Sequence, residues 1–167
     1  MEITRVGPDG WQVYRRVRLA GLADAPYAFS SALERERAFA DDVWRQRLGS
    51  ATAATFLAWQ DGEPVGTATG KAENPGDEHG VPGAWQLVGM WVDPVARGLG
   101  VADALVAAVA GHARAQGAQA LVLWVTEIND RARSFYKRMG FVPTGVSQVV
   151  RPDEPDHWEH QMIRRPI

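Results

Sequence analysis

The sequence predicts an α/β protein built on a mixed sheet. Three observations lead there. The elements read in the order β-α-α-β-β-β-α-β-α-β-β. The pair Asp61-Gly62 joins two strand-like runs, a strong hairpin signal. A strand, a glycine turn, an alanine-rich helix and another strand follow each other from Trp85 to Val125. Such a unit makes its two strands parallel neighbours.

Each element follows from local chemistry. Glu2 to Val6 forms a short first strand, and Gly7-Pro8-Asp9-Gly10 is a turn. Trp11 to Ala23 reads as a helix with Val13, Val17 and Ala20 on one stripe, broken at Asp24-Ala25-Pro26. Glu34 to Leu48 reads as one helix carrying Phe39, Val43 and Leu48 on its apolar side. Thr55 to Gln60 and Pro64 to Lys71 are the hairpin strands. Asn74 to Gly83, with two prolines and three glycines, is a loop. Trp85 to Val92 is a strand, Gly100 to Gln116 a helix closed by Gly117, and Leu121 to Val125 a strand. Asp130 to Met139 is a short helix. Val142 to Val150 and Trp158 to Ile163 are the last strands.

Composition narrows the function. A chain of 167 residues with 46% apolar and 23% charged residues fits one globular domain, residues 1–167. There is no cysteine, hence no disulfide framework, thiolate nucleophile or cysteine zinc site. The histidines show no spacing with acids that suggests a metal site. A net charge of −2 gives no expectation of nucleic-acid binding. No apolar run reaches membrane-span length, and Met1 to Arg5 lacks the apolar run of a signal peptide, so no membrane partner and a cytoplasmic location are expected.

The chemistry concentrates after the strand that ends at Val92. Arg97, Gly98, Leu99, Gly100, Val101, Ala102 and Asp103 run from a turn into a helix. Small residues let the backbone approach a bulky ligand, and the helix start offers unpaired N–H groups and the positive dipole end. Together they suit a pyrophosphate, with Arg97 adding a cation. Neither nucleotide alternative fits. A P-loop needs Gly-Lys-Ser/Thr where Gly100-Val101-Ala102 stands. A dinucleotide turn needs a small third residue where Asp103 stands, and the five residues Asp93 to Arg97 make the turn too long.

The pattern Arg97-x-x-Gly100-x-Ala102, preceded by Val92-Asp93-Pro94, resembles the Q/R-x-x-G-x-G/A signature of the GNAT superfamily of acyl-CoA-dependent N-acetyltransferases. Asn129, Ala132, Tyr136, Gly140 and Phe141 match the second block of that family at its usual distance. The resemblance implies a mixed, mostly antiparallel central sheet with a splayed parallel strand pair, flanked by helices. It implies acetyl-CoA as co-substrate, no metal, and an amine acceptor, expected to be a small molecule attacking directly. Dimers are common in the family, so a homodimer is among the expected assemblies. Transfer of a bulkier acyl group such as succinyl, or non-catalytic acyl-CoA binding, are the competing readings.

The same resemblance distributes the roles. Tyr136 is the candidate general acid for the leaving thiolate. Asn129 caps its helix and contacts the pantetheine arm. Met90, Trp91 and Val92 act through backbone groups freed by the splay, one N–H near Val92 polarising the thioester carbonyl. The family's direct base, a glutamate, falls at Gln86, and an amide cannot serve. Glu34, Glu36 and Glu127 remain on the acceptor side. Each reads first as a solvated charge, and Glu34 and Glu127 are the candidate bases. Asp103 is expected to point away from the ligand. His157 and His160 read as surface residues, and Trp44, Trp59, Trp85 and Trp124 as core.

Overall fold

The computed structural model describes residues 1–74 and 76–167; Pro75, inside the expected loop from Asn74 to Gly83, lies outside them. Seven strands form one sheet: β1 (Glu2–Val6), β2 (Ala53–Gln60), β3 (Glu63–Ala72), β4 (Ala84–Val92), β5 (Ala120–Thr126), β6 (Val142–Val149) and β7 (Trp158–Arg164). Their spatial order is β1-β2-β3-β4-β5-β7-β6. Only β4 and β5 run parallel; every other pairing is antiparallel. The mixed sheet, the hairpin and the parallel pair all stand as the sequence predicts. The hairpin turn holds Asp61 at φ 52° and Gly62 at φ 82°, the left-handed pair that a two-residue connection needs.

Helices cover both faces. On one face α4 (Val101–Ala115) packs across β2, β3 and β4, burying Val101, Leu105, Val106 and Val109 completely. Phe135 and Tyr136 of α5 (Asp130–Arg138) extend that core. On the other face α1 (Trp11–Asp24) lies on β3 and β4, and Tyr14, Val17, Leu22 and Trp44 pack with Trp91. Gly21 lets the Trp91 indole approach: a Cβ there would meet its Cγ at 2.9 Å. Trp91 is thus held through its side chain, while its backbone pairs with Thr67 of β3 and is not freed by the splay. Its Nε1 donates to the Asp24 carboxylate at 2.9 Å, tying β4 to the end of α1.

The expected helix from Glu34 to Leu48 is two helices, α2 (Leu33–Arg37) and α3 (Asp41–Leu48), broken at Ala38-Phe39-Ala40. A buried charge explains the break. Glu36, read from sequence as solvated, has none of its surface exposed. It accepts from Arg18 Nε at 3.0 Å and Nη2 at 2.8 Å, and from Arg47 Nη1 at 3.0 Å. On one continuous helix, Glu36 and Arg47 would stand about 16 Å apart along the axis. The break folds α3 back so that the two meet. Burial raises the Glu36 carboxyl pKa, but the two arginines outweigh it and bring it down from 4.5 to about 2.

This pKa makes stability fall in acid. The carboxyl titrates near 4.5 in the unfolded chain and near 2 when folded, so its contribution is complete above about pH 5 and is lost as pH falls from there toward 2. Glu36→Gln is expected to cost about 3–5 kcal/mol, because it leaves two arginines without their buried partner. Chemical denaturation between pH 2 and 7 checks both: the variant's loss should be largest at pH 7 and shrink in acid.

Candidate functional site

β4 stays paired with β5 only from Ala84 to Leu87, opposite Ala120 to Leu123. Beyond that the strands part. A bulge marks the departure: Thr69 faces Val88 while Thr67 faces Trp91, one residue extra on β4. Gly89 in the bulge sits at φ 61°, a conformation that favours glycine. Trp91 pairs with Thr67, and the Asp93 N–H donates to the Val65 carbonyl at 2.9 Å. Antiparallel alternation then turns Val92 between them to the unpaired edge. Arg97 Nε donates to the Val92 carbonyl at 3.0 Å, and its Nη2 binds the Asp24 carboxylate. The guanidinium expected to meet an anion at the turn thus folds back to hold the strand end.

Past β4 the turn enters α4 through Gly98 at φ 83° and Gly100 at φ 80°. A Cβ on either would project into open space, so both are required for conformation rather than packing. The N–H groups of Gly98, Leu99, Gly100, Val101 and Ala102 have no hydrogen-bond partner among the described residues. Five free donors at a helix start make a cradle for an anion.

This turn lines a cavity of about 870 Å³ walled by the end of β4, α4 and α5. Every residue that the sequence proposes for the cofactor lines it except Leu99, whose side chain points to solvent. Tyr136 borders the same cavity. Its hydroxyl donates to Met90 Sδ at 3.6 Å, and its ring packs edge-on against Phe135 and Phe141. Burial pushes its pKa far above the usual tyrosine range, so it carries its proton at any working pH. Asn129 caps α5, its Oδ1 accepting from the Ala132 N–H at 3.1 Å. Asp103 lines the cavity but turns sideways to Arg138, with contacts of 2.7 and 3.2 Å that hold its carboxyl below the ordinary range.

A second cavity of about 780 Å³ lies on the opposite face of β4. Val88 and Gly89 line the second, Met90 the first, and Ala28 and Phe29 border both. The two cavities therefore meet at the bulge. Gln86, where the family's glutamate was expected, lines the second. Neither candidate base does. Glu34 is highly exposed and pairs with Arg37; Glu127 is exposed and lies 3.7 Å from His160. Among the carboxylates of this cavity that sequence reasoning missed, Glu159 on β7 accepts from Gln148 Nε2 at 2.7 Å. Burial raises its pKa, and Gln148 only partly offsets that. The signal was present in Glu159-x-Gln161, two polar residues on one face of a strand. His79 and Trp124 also line it, with rings 5.9 Å apart, so Trp124 is a wall residue rather than core. Trp44 and Trp85 are buried, as read from sequence.

The chain belongs to the acetyltransferase (GNAT) family, whose model matches residues 19–141. Its curated relatives include mycothiol acetyltransferases of Geodermatophilus obscurus, 34% identical over 142 residues, and Cellulomonas flavigena, 31% identical over 148. These matches cover 85% and 86% of this chain but only 44% and 40% of the relatives, so the chain spans less than half their length. Among solved structures, a GNAT-family acetyltransferase of Streptococcus pneumoniae superposes with a TM-score of 0.78 at 19% identity, covering 99% of both chains. That likeness fixes the fold. Among the described residues no group of metal-ligating side chains comes together, and no helix is long and apolar enough to cross a membrane.

The cap can be tested apart from any ligand. Asn129→Ala is expected to cost about 1 kcal/mol of stability, while Asn129→Asp keeps the capping oxygen and most of the stability. Denaturant midpoints of the three proteins check this.

Proposed function

We propose that the chain transfers an acetyl group from acetyl-CoA to a primary amine by direct attack. One observation carries the reading: one cavity brings together the free N–H donors of the α4 start, an unpaired strand edge and a half-buried, protonated phenol. The donor set fits a long anionic thioester. The α4 start would take the pyrophosphate, and the open edge of β4 and Asn129 the pantetheine amides. Acetyl-CoA would supply an activated acyl group. Transfer forms an N–C bond, breaks the C–S bond, and sends the electron pair to sulfur.

The chain's residues then divide the protons. Tyr136 holds one at its hydroxyl and gives it to the leaving sulfur. An N–H of β4 near Val92 donates to the carbonyl oxygen as it gains charge. The amine approaches through the second cavity. There Glu159, whose proton affinity burial raises, is the carboxylate we assign to take the acceptor's proton. Glu34 and Glu127 stand outside both cavities and give up that role. No cysteine exists to carry an acyl-enzyme, which supports direct attack. The relatives' names support acetyl transfer; mycothiol is an acceptor named for them alone.

Two measurements test the reading. Gly100→Val forces a branched residue to φ 80° and disturbs the N–H cradle. Calorimetric titration should show acetyl-CoA affinity falling about tenfold or more in a folded variant; unchanged affinity rejects the site. Tyr136→Phe keeps the ring packing and removes the proton. Its kcat at saturating acetyl-CoA should fall about 10²–10⁴-fold. Wild-type kcat under conditions where chemistry limits the rate would remove Tyr136 from catalysis.

A further inference from the structure

The acceptor cavity has a cation built into one wall. Arg18 on α1 reaches Glu36 side-on, using Nε at 3.0 Å and Nη2 at 2.8 Å. Its third nitrogen, Nη1, makes no hydrogen bond among the described residues. That atom lies 3.5 Å from where a Cβ would stand on Gly89, so it reaches the β4 bulge where the two cavities meet. The guanidinium is held from both sides. It stacks on the Phe29 ring at 4.7 Å, and its side chain is only 11% exposed.

Glu36 does not neutralise this wall. Arg47 also bonds the same carboxylate at 3.0 Å, so two guanidiniums share one negative charge and a single positive charge is left over. The neighbouring lining is uncharged or cationic: the Tyr14 phenol, the Thr55 and Thr69 hydroxyls 2.8 Å apart, and Lys71. The cavity's other carboxylates come from the loop after β3 and from β7: Glu73, Asp77, Glu78 and Glu159. A cationic wall that offers one free N–H from a side chain only 11% exposed suits a carboxylate.

We propose that this wall is a carboxylate subsite and that the acceptor is a small amino carboxylate of the α-amino-acid type. The carboxylate would accept from Arg18 Nη1, and the amine, on the adjoining carbon, would then lie at the bulge where the thioester is expected. The acceptor's side chain would run toward Trp124 and His79, leaving its amine to Glu159. Arg18 is thereby a specificity residue. It is held in place by Glu36 and Arg47, and this gives the break between α2 and α3 a use beyond stability. The proposal rests on the acetyl-transfer reading.

The experiment first titrates acetyl-CoA calorimetrically, then follows thiol release with a set of L-amino acids. Each is compared with its decarboxylated amine and its carboxamide. The amino acid should lead by about 10- to 100-fold in kcat/KM, mostly through KM. Arg18→Lys keeps a positive charge facing Glu36 and loses the guanidinium fork. In this variant, with folding checked by thermal melting, the amino acid's lead should collapse. Should Arg18→Lys fail to fold, the wild-type comparison still decides. Amines or amides turned over as well as the amino acids overturn the subsite, as does acetyl-CoA binding without thiol release from any amino acid. Absence of acetyl-CoA binding overturns the acetyl-transfer reading itself, and the subsite with it.

Discussion

Beyond Leu87 one edge of β4 has no strand beside it, and the arrangement of both cavities follows from that loss. Unpaired backbone groups are costly when buried, so a strand gives up its ladder only where something holds it open. Here two devices do so. The bulge at Gly89 adds a residue to β4 where it pairs with β3 and bends the strand. Arg97 then takes the Val92 carbonyl and anchors itself on Asp24, which also accepts from Trp91. Strand, turn and α1 are locked at one point. The remaining N–H and C=O groups of the edge face a cavity, where a polar ligand can satisfy them.

The opposite side of β4 depends on a different constraint. Glu36 is fully buried, and a buried carboxylate survives only when it is paired. Arg18 and Arg47 come to it from α1 and α3, so three helices are organised around one side chain. Phe29, Phe39 and Trp44 cover the guanidiniums with their rings. The cluster contributes less to stability than its contacts suggest, since burying three charges costs desolvation. Its clearer consequence is positional: it sets a guanidinium edge against the bulge.

How much of this was legible in the sequence differs by site. The strands, the Asp61-Gly62 hairpin and the α4 turn are written in local chemistry, and each appears where the residues place it, with several strand ends shifted by a residue or two. Asn129 is a capping residue type in a capping position, and it caps. What failed to show was long-range pairing. Glu36 sits in a run of alternating charges, Glu34 to Arg37, that looks like a solvated face; only Arg18 and Arg47, distant in sequence, reveal it as buried. Arg97 looked like an anion ligand because its partner Asp24 is 73 residues away. Glu159 was invisible for the same reason, since its cavity is assembled from β3, β4, β5, β6 and β7 together.

Burial acts on Tyr136 and Glu159 in the same direction, and the effects on the proposed reaction are complementary. Both groups carry charge only when deprotonated, so removal from water raises both pKa values. For a phenol this means the proton is always present, which is the state a general acid needs. For a carboxylate it means a stronger base than an exposed glutamate. Burial thus suits two groups, one in each cavity, to opposite roles in the proposed reaction. The sorting also explains how Gln86 is tolerated at the position of the family's glutamate. On the proposed reading Glu159 on β7 takes the proton in the cavity that Gln86 also lines, so no carboxylate is needed at position 86.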